Sequence, residues 1–411
     1  MVKSLVLAVA IVPSVMAINT DGGLYSSFVS LSIELIGFPD WAGSRSNANE
    51  YSNNLIESLV SAQGSPMVVR VGGNSADRAI YDETLTTPTA SSCPKADPGA
   101  YQCIGPKFFD SYGAFPQGTL YSHNFNVATW NSSGFHTLEA TVPLACNALR
   151  GQLALYEIGN EPDLYNGKRR DSDYNVHDYL ADWTNTTGRF ESYLQAACPD
   201  MVKNLQYMFP SVSSPGSRLR VPDMYKAATG DSLKHVTQVS VHNYMAGATQ
   251  PGVTLQATLM NHTAVARSIA GHLAAGTFLA NSSSALQVKT LDLGGRADLD
   301  SGYGTYVEGR LERIAILNLR EYDSSSGKGR GMKEYAVKVE PSSHWTVKRL
   351  SAPGARDKTG VTFNGFAYEA ETMGKPKRVD SRPSNEQLKA NKCGKLVVKV
   401  ADSEAVVLVQ S

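Results

Sequence analysis

The sequence predicts an α/β chain: a (β/α)8 TIM-barrel-like region over 18–288 that lacks its last two strands, then an antiparallel β-sandwich over 289–411. Three observations predict it. Short β-rich apolar runs alternate with longer segments of helical period up to about residue 275, the pattern of strand-helix repeats around a parallel sheet. From about Leu291 the pattern changes to short alternating strands between clusters of Gly, Ser, Asp and Pro. Between the sixth run and that change there is room for one helix, whereas a closed barrel needs two more strand-helix units of about 30 residues each.

In chain order, MVKSLVLAVAIVPSVMA places Lys3 before an apolar run, Leu5 to Val12, and small residues at Val15-Met16-Ala17. That order reads as a secretory signal peptide over 1–17, too short to span a bilayer, and implies a secreted, extracellular protein. A first buried strand or helix is the other reading. Strands are expected at Phe28–Leu35, Met67–Val71, Leu120–Asn126, Leu153–Ile158, Leu205–Phe209 and His235–Tyr244, and helices near Glu50–Ala62, Thr137–Leu149, Val176–Ala197 and His262–Ala275. SGYGTYVEG, LERIAILNL, EYAVKVE, HWTVKRL, GVTFNG, KLVVKVA and EAVVLVQ supply the sandwich.

Asn131, Asn185, Asn261 and Asn281 each open an Asn-x-Ser/Thr glycosylation signal, in keeping with export. Cys93 and Cys103 bracket a loop rich in Pro, Gly and Ser that a disulfide could close, while Cys146, Cys198 and Cys393 leave one thiol over. No Cys or His spacing suits zinc, and no cofactor is expected. A formal net charge of +0 gives no basis for electrostatic capture of nucleic acid or an anionic membrane, and suits a neutral polar substrate.

A barrel of this kind carries its working residues at the C-terminal ends of its strands. In YEIGNEPDLY, alternation puts Glu157, Gly159 and Glu161 on one face and Tyr156, Ile158 and Asn160 on the other, with Glu161 at the strand's end and Glu157 one layer deeper. Buried, Glu157 needs a cation, and Arg70 in VVRVGGN matches it in type and strand position. Glu161 suits a general acid that protonates a leaving oxygen, with the Asn160 amide on a substrate hydroxyl. The same residues, with Pro162 and Asp163, also suit a turn and helix N-cap.

FVSLSIEL, SNNLIESLVSAQGSPMVVRVGGNSAD, LYEIGNEPDLY, VSVHNY, RLERIAILNLREY and LSAPGA, in that order, resemble glycoside hydrolase family 79, the fungal secreted β-glucuronidase type related to heparanase. The resemblance runs from about Ser26 to Val409. It implies a barrel plus sandwich and hydrolysis of β-linked glucuronic acid with retention of configuration, so the implied partner is a β-glucuronide or uronic-acid-bearing glycan. By resemblance Glu161 matches the acid/base and Asn160 the residue on the sugar 2-hydroxyl. Glu34 matches a glutamate that bonds the uronic acid, and Tyr244 a tyrosine lining the site, with core packing as the other reading for Glu34, His242 and Tyr244. Asn74 and Asp77 stand on a strand-end loop that borders the pocket.

Retention needs a second carboxylate about 5–5.5 Å from the first, expected after Tyr244 and before the sandwich. No glutamate occurs between Glu191 and Glu308. Asp292, Asp298 and Asp300 remain, and none matches the family's nucleophile motif. The expectation is a deletion near Ala285–Val288 that removes strands seven and eight with the nucleophile, whether in the gene or by a skipped exon. The two readings are a β-glucuronidase-type hydrolase with Glu161 as acid/base, and a catalytically inactive or truncated homologue with residual sugar binding. Inversion with Glu34 or Asp77 as base is the less favoured mechanism.

Overall fold

The computed structural model describes residues 27–93, 102–242, 265–280, 286–296, 298–357 and 359–411. The expected signal peptide, Tyr244, Asn261 and Asn281 lie outside them. The described contacts form two units, one of 30–53 and 68–242, the other of 27–29, 54–67 and 265–411.

The first unit is built on six parallel strands in sequence order: β1 (Leu31–Glu34), β2 (Val68–Gly72), β3 (Leu120–Phe125), β4 (Leu153–Ile158), β5 (Tyr207–Val212) and β6 (Val236–Val241). Among the described residues β1 and β6 pair on one side only, so the sheet is open, as an incomplete barrel would be. Alternation gives its faces opposite chemistry. Tyr121, Phe125, Tyr156, Tyr207 and Phe209 point one way and are buried. There all but Tyr121, which packs on Phe38 and Tyr112, meet the helix Val176–Ala197: the Phe190 ring lies 5.1 Å from Phe125 and 4.8 Å from Tyr156, and the Trp183 ring 4.6 Å from Phe209. Ser32, Arg70, Ser122, Asn124 and Glu157 occupy the positions between and form a polar face.

The helices start where their caps allow. Asn131 accepts from Gly134 N at 3.1 Å to open Ser132–Leu149, and Asn175 forms a reciprocal capping box with Asp178 to open Val176–Ala197. Between β2 and β3 the chain inserts a small sheet (Ala79–Tyr81, Gln102–Ile104 and Thr89–Ala90), which the sequence pattern did not disclose, with Cys93 bonded to Cys103 beside it. Cys146 bonds Cys198, tying two helix ends, and Cys393 is the free thiol.

In the second unit a nine-stranded sheet faces a two-stranded one, Met332–Lys338 with Lys395–Ala401. Ile314, Ile316, Trp345, Val347, Val406 and Leu408 of the larger sheet enclose a core with Tyr335, Val337, Leu396, Val398 and Val400 of the smaller. Each residue set alternates along its strand because it lines the face turned to the other sheet, while Ala405 and Val407 on the opposite face of the larger sheet are buried as well. The expected boundary at 288 falls inside the strand Leu286–Thr290, which pairs with Asp300–Val307 of the sandwich. The helix Val265–Phe278, expected to cover a barrel strand, packs on sandwich strands His344–Ser351 and Glu404–Gln410. Chain order had suggested the barrel, but an apolar helix settles on whichever apolar face lies within reach.

Trp345 is 1% exposed at the centre of this core. Trp345→Ala removes a large side chain from packing that collapses only in part and is expected to cost about 3–5 kcal/mol, read as a lower midpoint in urea unfolding of the sandwich.

Candidate active site

Four neighbouring strands present the polar face of the first unit. Its centre is Arg70, which donates through Nε and Nη2 to the two oxygens of Glu157, at 2.7 and 2.9 Å. Nη1 reaches Ser32 Oγ at 3.1 Å and Nη2 also reaches Asn160 Oδ1 at 2.8 Å. Glu157 is fully buried, so its charge is held by this bidentate pairing. Burial opposes the Arg70 charge, yet the adjoining Glu157 carboxylate keeps its pKa above the ordinary guanidinium value. The cation expected from sequence is the one present.

Beyond Ile158 the strand ends. Gly159 takes φ +81° and Glu161 takes φ 50°, ψ 54°, both left-handed. Simple alternation therefore fails here: Asn160, expected to face away from Glu157, shares Arg70 with it because the glycine has turned the chain. For a glutamate the left-handed region costs about 1–2 kcal/mol. The surroundings hold it there, since Glu161 N donates to Ser211 O at 2.9 Å and Leu164 N to Glu161 O at 2.9 Å. Glu161 caps the short helix Pro162–Leu164 by position, but its side chain makes no cap bond. Instead Oε1 meets His242 Nδ1 at 2.7 Å, with the glutamate 4% exposed. One proton serves that contact: either the ring N–H donates to a carboxylate, or the carboxylic O–H donates to the ring nitrogen.

Glu34, at the end of β1, accepts from the backbone N–H of Asn74 at 3.3 Å and Ser75 at 2.9 Å, and from Ser75 Oγ at 2.5 Å. Gly73 makes room for it, because at φ +86° a Cβ there would stand 2.5 Å from Glu34 Oε1. Asn74 is exposed, and its Oδ1 accepts from Asn160 Nδ2 at 3.3 Å. The structure thus gathers Glu34, Asn74, Asn160, Glu161 and His242 at the C-terminal ends of β1, β2, β4 and β6.

Two carboxylates, Asp77 expected at the pocket border and Asp163 expected in a turn, prove to be structural supports. Asp77, 5% exposed, accepts from the N–H groups of Val127 at 3.2 Å, Ala128 at 3.4 Å and Asn160 at 3.1 Å, and from Tyr165 Oη at 2.7 Å. Burial raises its pKa from 3.8 to about 6, against the pull of those hydrogen bonds. Asp163 accepts from Ser213 N at 2.9 Å and Ser213 Oγ at 2.5 Å, joining the turn after β4 to the loop after β5. An acidic residue five positions past a strand end, directly after Pro162 in the case of Asp163, was the only signal of these supporting contacts.

The remaining carboxylates expected near a nucleophile's place lie in the second unit, each engaged there. Asp300 binds Arg320, Lys333 and Tyr335, Asp298 pairs with Arg296, and Asp292 accepts from Gly294 N at 2.8 Å. Asn131 stands at a helix start, while Asn185 is exposed in mid-helix, bonded by Arg189 Nε at 2.8 Å. Among the described residues no cluster of His, Cys, Asp and Glu could hold a metal ion.

Arg70→Met leaves Glu157 buried without its cation and is expected to cost about 3–5 kcal/mol in urea unfolding; adding Glu157→Leu is expected to recover part of that loss. Asp77 should appear in the pH dependence. Its folded pKa lies above its unfolded value, so its stabilising contribution is full below about 4 and is lost as pH rises through about 6. The stability difference between wild type and Asp77→Asn is therefore expected to move in the wild type's favour by about 2 kcal/mol from pH 7 to pH 4.

A profile of the Glycosyl hydrolase family 79 C-terminal beta domain matches residues 302–407. A beta-glucuronidase of Aspergillus niger is 30% identical over 493 residues, taking in 93% of this chain and 90% of the relative. A beta-glucuronidase of Neurospora crassa is 37% identical over 262 residues, 61% of this chain and 46% of the relative. The 493-residue alignment exceeds the 411 residues of the chain, so the Aspergillus relative carries residues with no counterpart here. Among solved structures, a 4-O-α-L-rhamnosyl-β-D-glucuronidase from Fusarium oxysporum 12S, in a Rha-GlcA complex, aligns over 99% of each chain with a TM-score of 0.71 at 17% identity, a likeness of fold.

Proposed function

This chain belongs to glycoside hydrolase family 79, and we propose that it is a secreted β-glucuronidase-type protein that keeps the proton-donating half of the site and has lost the segment bearing the nucleophile. The observation that carries the reading is Glu161, held left-handed past the end of β4 with its carboxyl on His242 at 2.7 Å. A general acid must present a proton to the leaving oxygen at the barrel mouth. Glu161, with His242 as the partner that exchanges a proton with its carboxyl, is the residue assigned to that step. Asn160, fixed by Arg70, takes the sugar 2-hydroxyl, and Glu34 with Asn74 contacts the uronic acid.

The second carboxylate that retention requires has no candidate. No glutamate lies between Glu191 and Glu308, and the 493-residue alignment leaves unmatched residues in the Aspergillus relative, which supports loss of strands seven and eight. Glucuronic acid binding then outlasts turnover. Export through an oxidising compartment fits the disulfides Cys93–Cys103 and Cys146–Cys198.

Sodium azide with an activated aryl β-glucuronide tests the reading. Azide attacks the anomeric carbon, the carbon-to-aryloxide bond breaks, the phenol leaves with the proton from Glu161, and an α-glucuronosyl azide forms. The expected result is phenol release near background without azide, a rise of at least about tenfold with it, and loss of that rise for a poorly activated leaving group in Glu161→Gln. Brisk release without azide would refute the loss of the nucleophile. Silence in both conditions, with no calorimetric response to glucuronate, would remove the glycosidase reading for this chain.

A further inference from the structure

We infer that Asp77 is a positioning residue for Glu161, a clamp that holds both flanks of the left-handed turn on which the acid/base stands. The inference rests on the reading of Glu161 given above. A single oxygen, Asp77 Oδ2, accepts from Asn160 N at 3.1 Å and from Tyr165 Oη at 2.7 Å. Asn160 immediately precedes Glu161, and Tyr165 ends the short helix that follows it. The other oxygen, Oδ1, accepts from Val127 N and Ala128 N, just past the end of β3. The carboxylate therefore ties the β3 and β4 strand ends together from its own place after β2.

A glutamate leaves the left-handed region readily unless its neighbours fix it. The backbone bond from Glu161 N to Ser211 O constrains the residue itself, but it does not fix the directions in which the chain enters and leaves. Asp77 fixes both. Asn160 is doubly determined in consequence, by Asp77 at its backbone and by Arg70 at its side chain. Asp77 does not need to touch substrate to act. All four of its donors are protein groups, and the carboxyl is buried.

The alternative is that Asp77 merely stabilises the fold, in which case its loss would lower stability without altering the Glu161–His242 contact. Titration of the His242 ring by NMR separates the two, in the full-length protein without substrate. In Asp77→Asn an amide N–H is placed against the Asn160 N–H or the Tyr165 hydroxyl, and Tyr165→Phe removes one donor with the ring retained. Both variants are expected to shift the His242 midpoint and the chemical shift of Nδ1 away from wild type. Asp182→Asn, which loses bonds from Arg170 and Tyr174 in the same unit, is expected to leave both signals in place. Wild-type His242 signals in folded Tyr165→Phe and Asp77→Asn would overturn the inference, as would an equal shift in Asp182→Asn. If Asp77→Asn does not fold, Tyr165→Phe decides alone. A silent azide assay with no calorimetric response to glucuronate, together with shifted His242 signals, would sink the glucuronidase reading while leaving the clamp standing.

Discussion

Arg70 crosses the polar face of the parallel sheet to reach Glu157, and the rest of the site hangs from that contact. One guanidinium engages Ser32 on the first strand, Glu157 on the fourth and Asn160 in the turn beyond it. Because side chains alternate, slipping the fourth strand by one residue would send Glu157 to the aromatic face and Tyr156 to the polar one. An unpaired carboxylate among Phe125, Phe190 and Tyr207 is far too costly to persist. The pair thus sets register as well as balancing charge, and register decides where Glu161 emerges.

Much of this could be read before any coordinates. All six strands of the first unit and its long helices fall where periodicity places them, since each strand has one dry face and each helix one dry stripe. The Arg70–Glu157 pairing was also legible, because a carboxylate in the middle of a strand needs a cation and few strand-borne cations exist. Alternation could not be carried past Ile158. It assumes extended backbone, and Gly159 followed by a left-handed Glu161 ends that assumption within two residues. Asp77 was named as a residue bordering the pocket and as a possible base, not as a support, because its four hydrogen-bond donors come from positions 127, 128, 160 and 165, distant in sequence from residue 77. The Cys146–Cys198 bond was hidden for the same reason, and the helix Val265–Phe278 was assigned by chain order to a sheet it does not join.

The two units solve the problem of sheet edges differently. In the second, strands from the far ends of the segment, such as Arg310–Asn318 and Glu404–Gln410, lie side by side and close a well-filled core. In the first, the described sheet ends at β1 on one side and β6 on the other, and Val239 of β6 is 56% exposed. Open strand edges invite pairing with other chains. The polar face is fixed mainly by bonds among β1 to β4, so the part of the site centred on Arg70 depends little on what would stand beyond β6.

The left-handed Glu161 carries a message about time. Glycine or asparagine occupies that backbone conformation with less strain, so a chain with no further use for the carboxyl group gains stability by mutating away from glutamate there. A glutamate in that conformation, bonded to a histidine, is on the proposed reading kept there by a use for its acidic group, for as long as that use outweighs the strain.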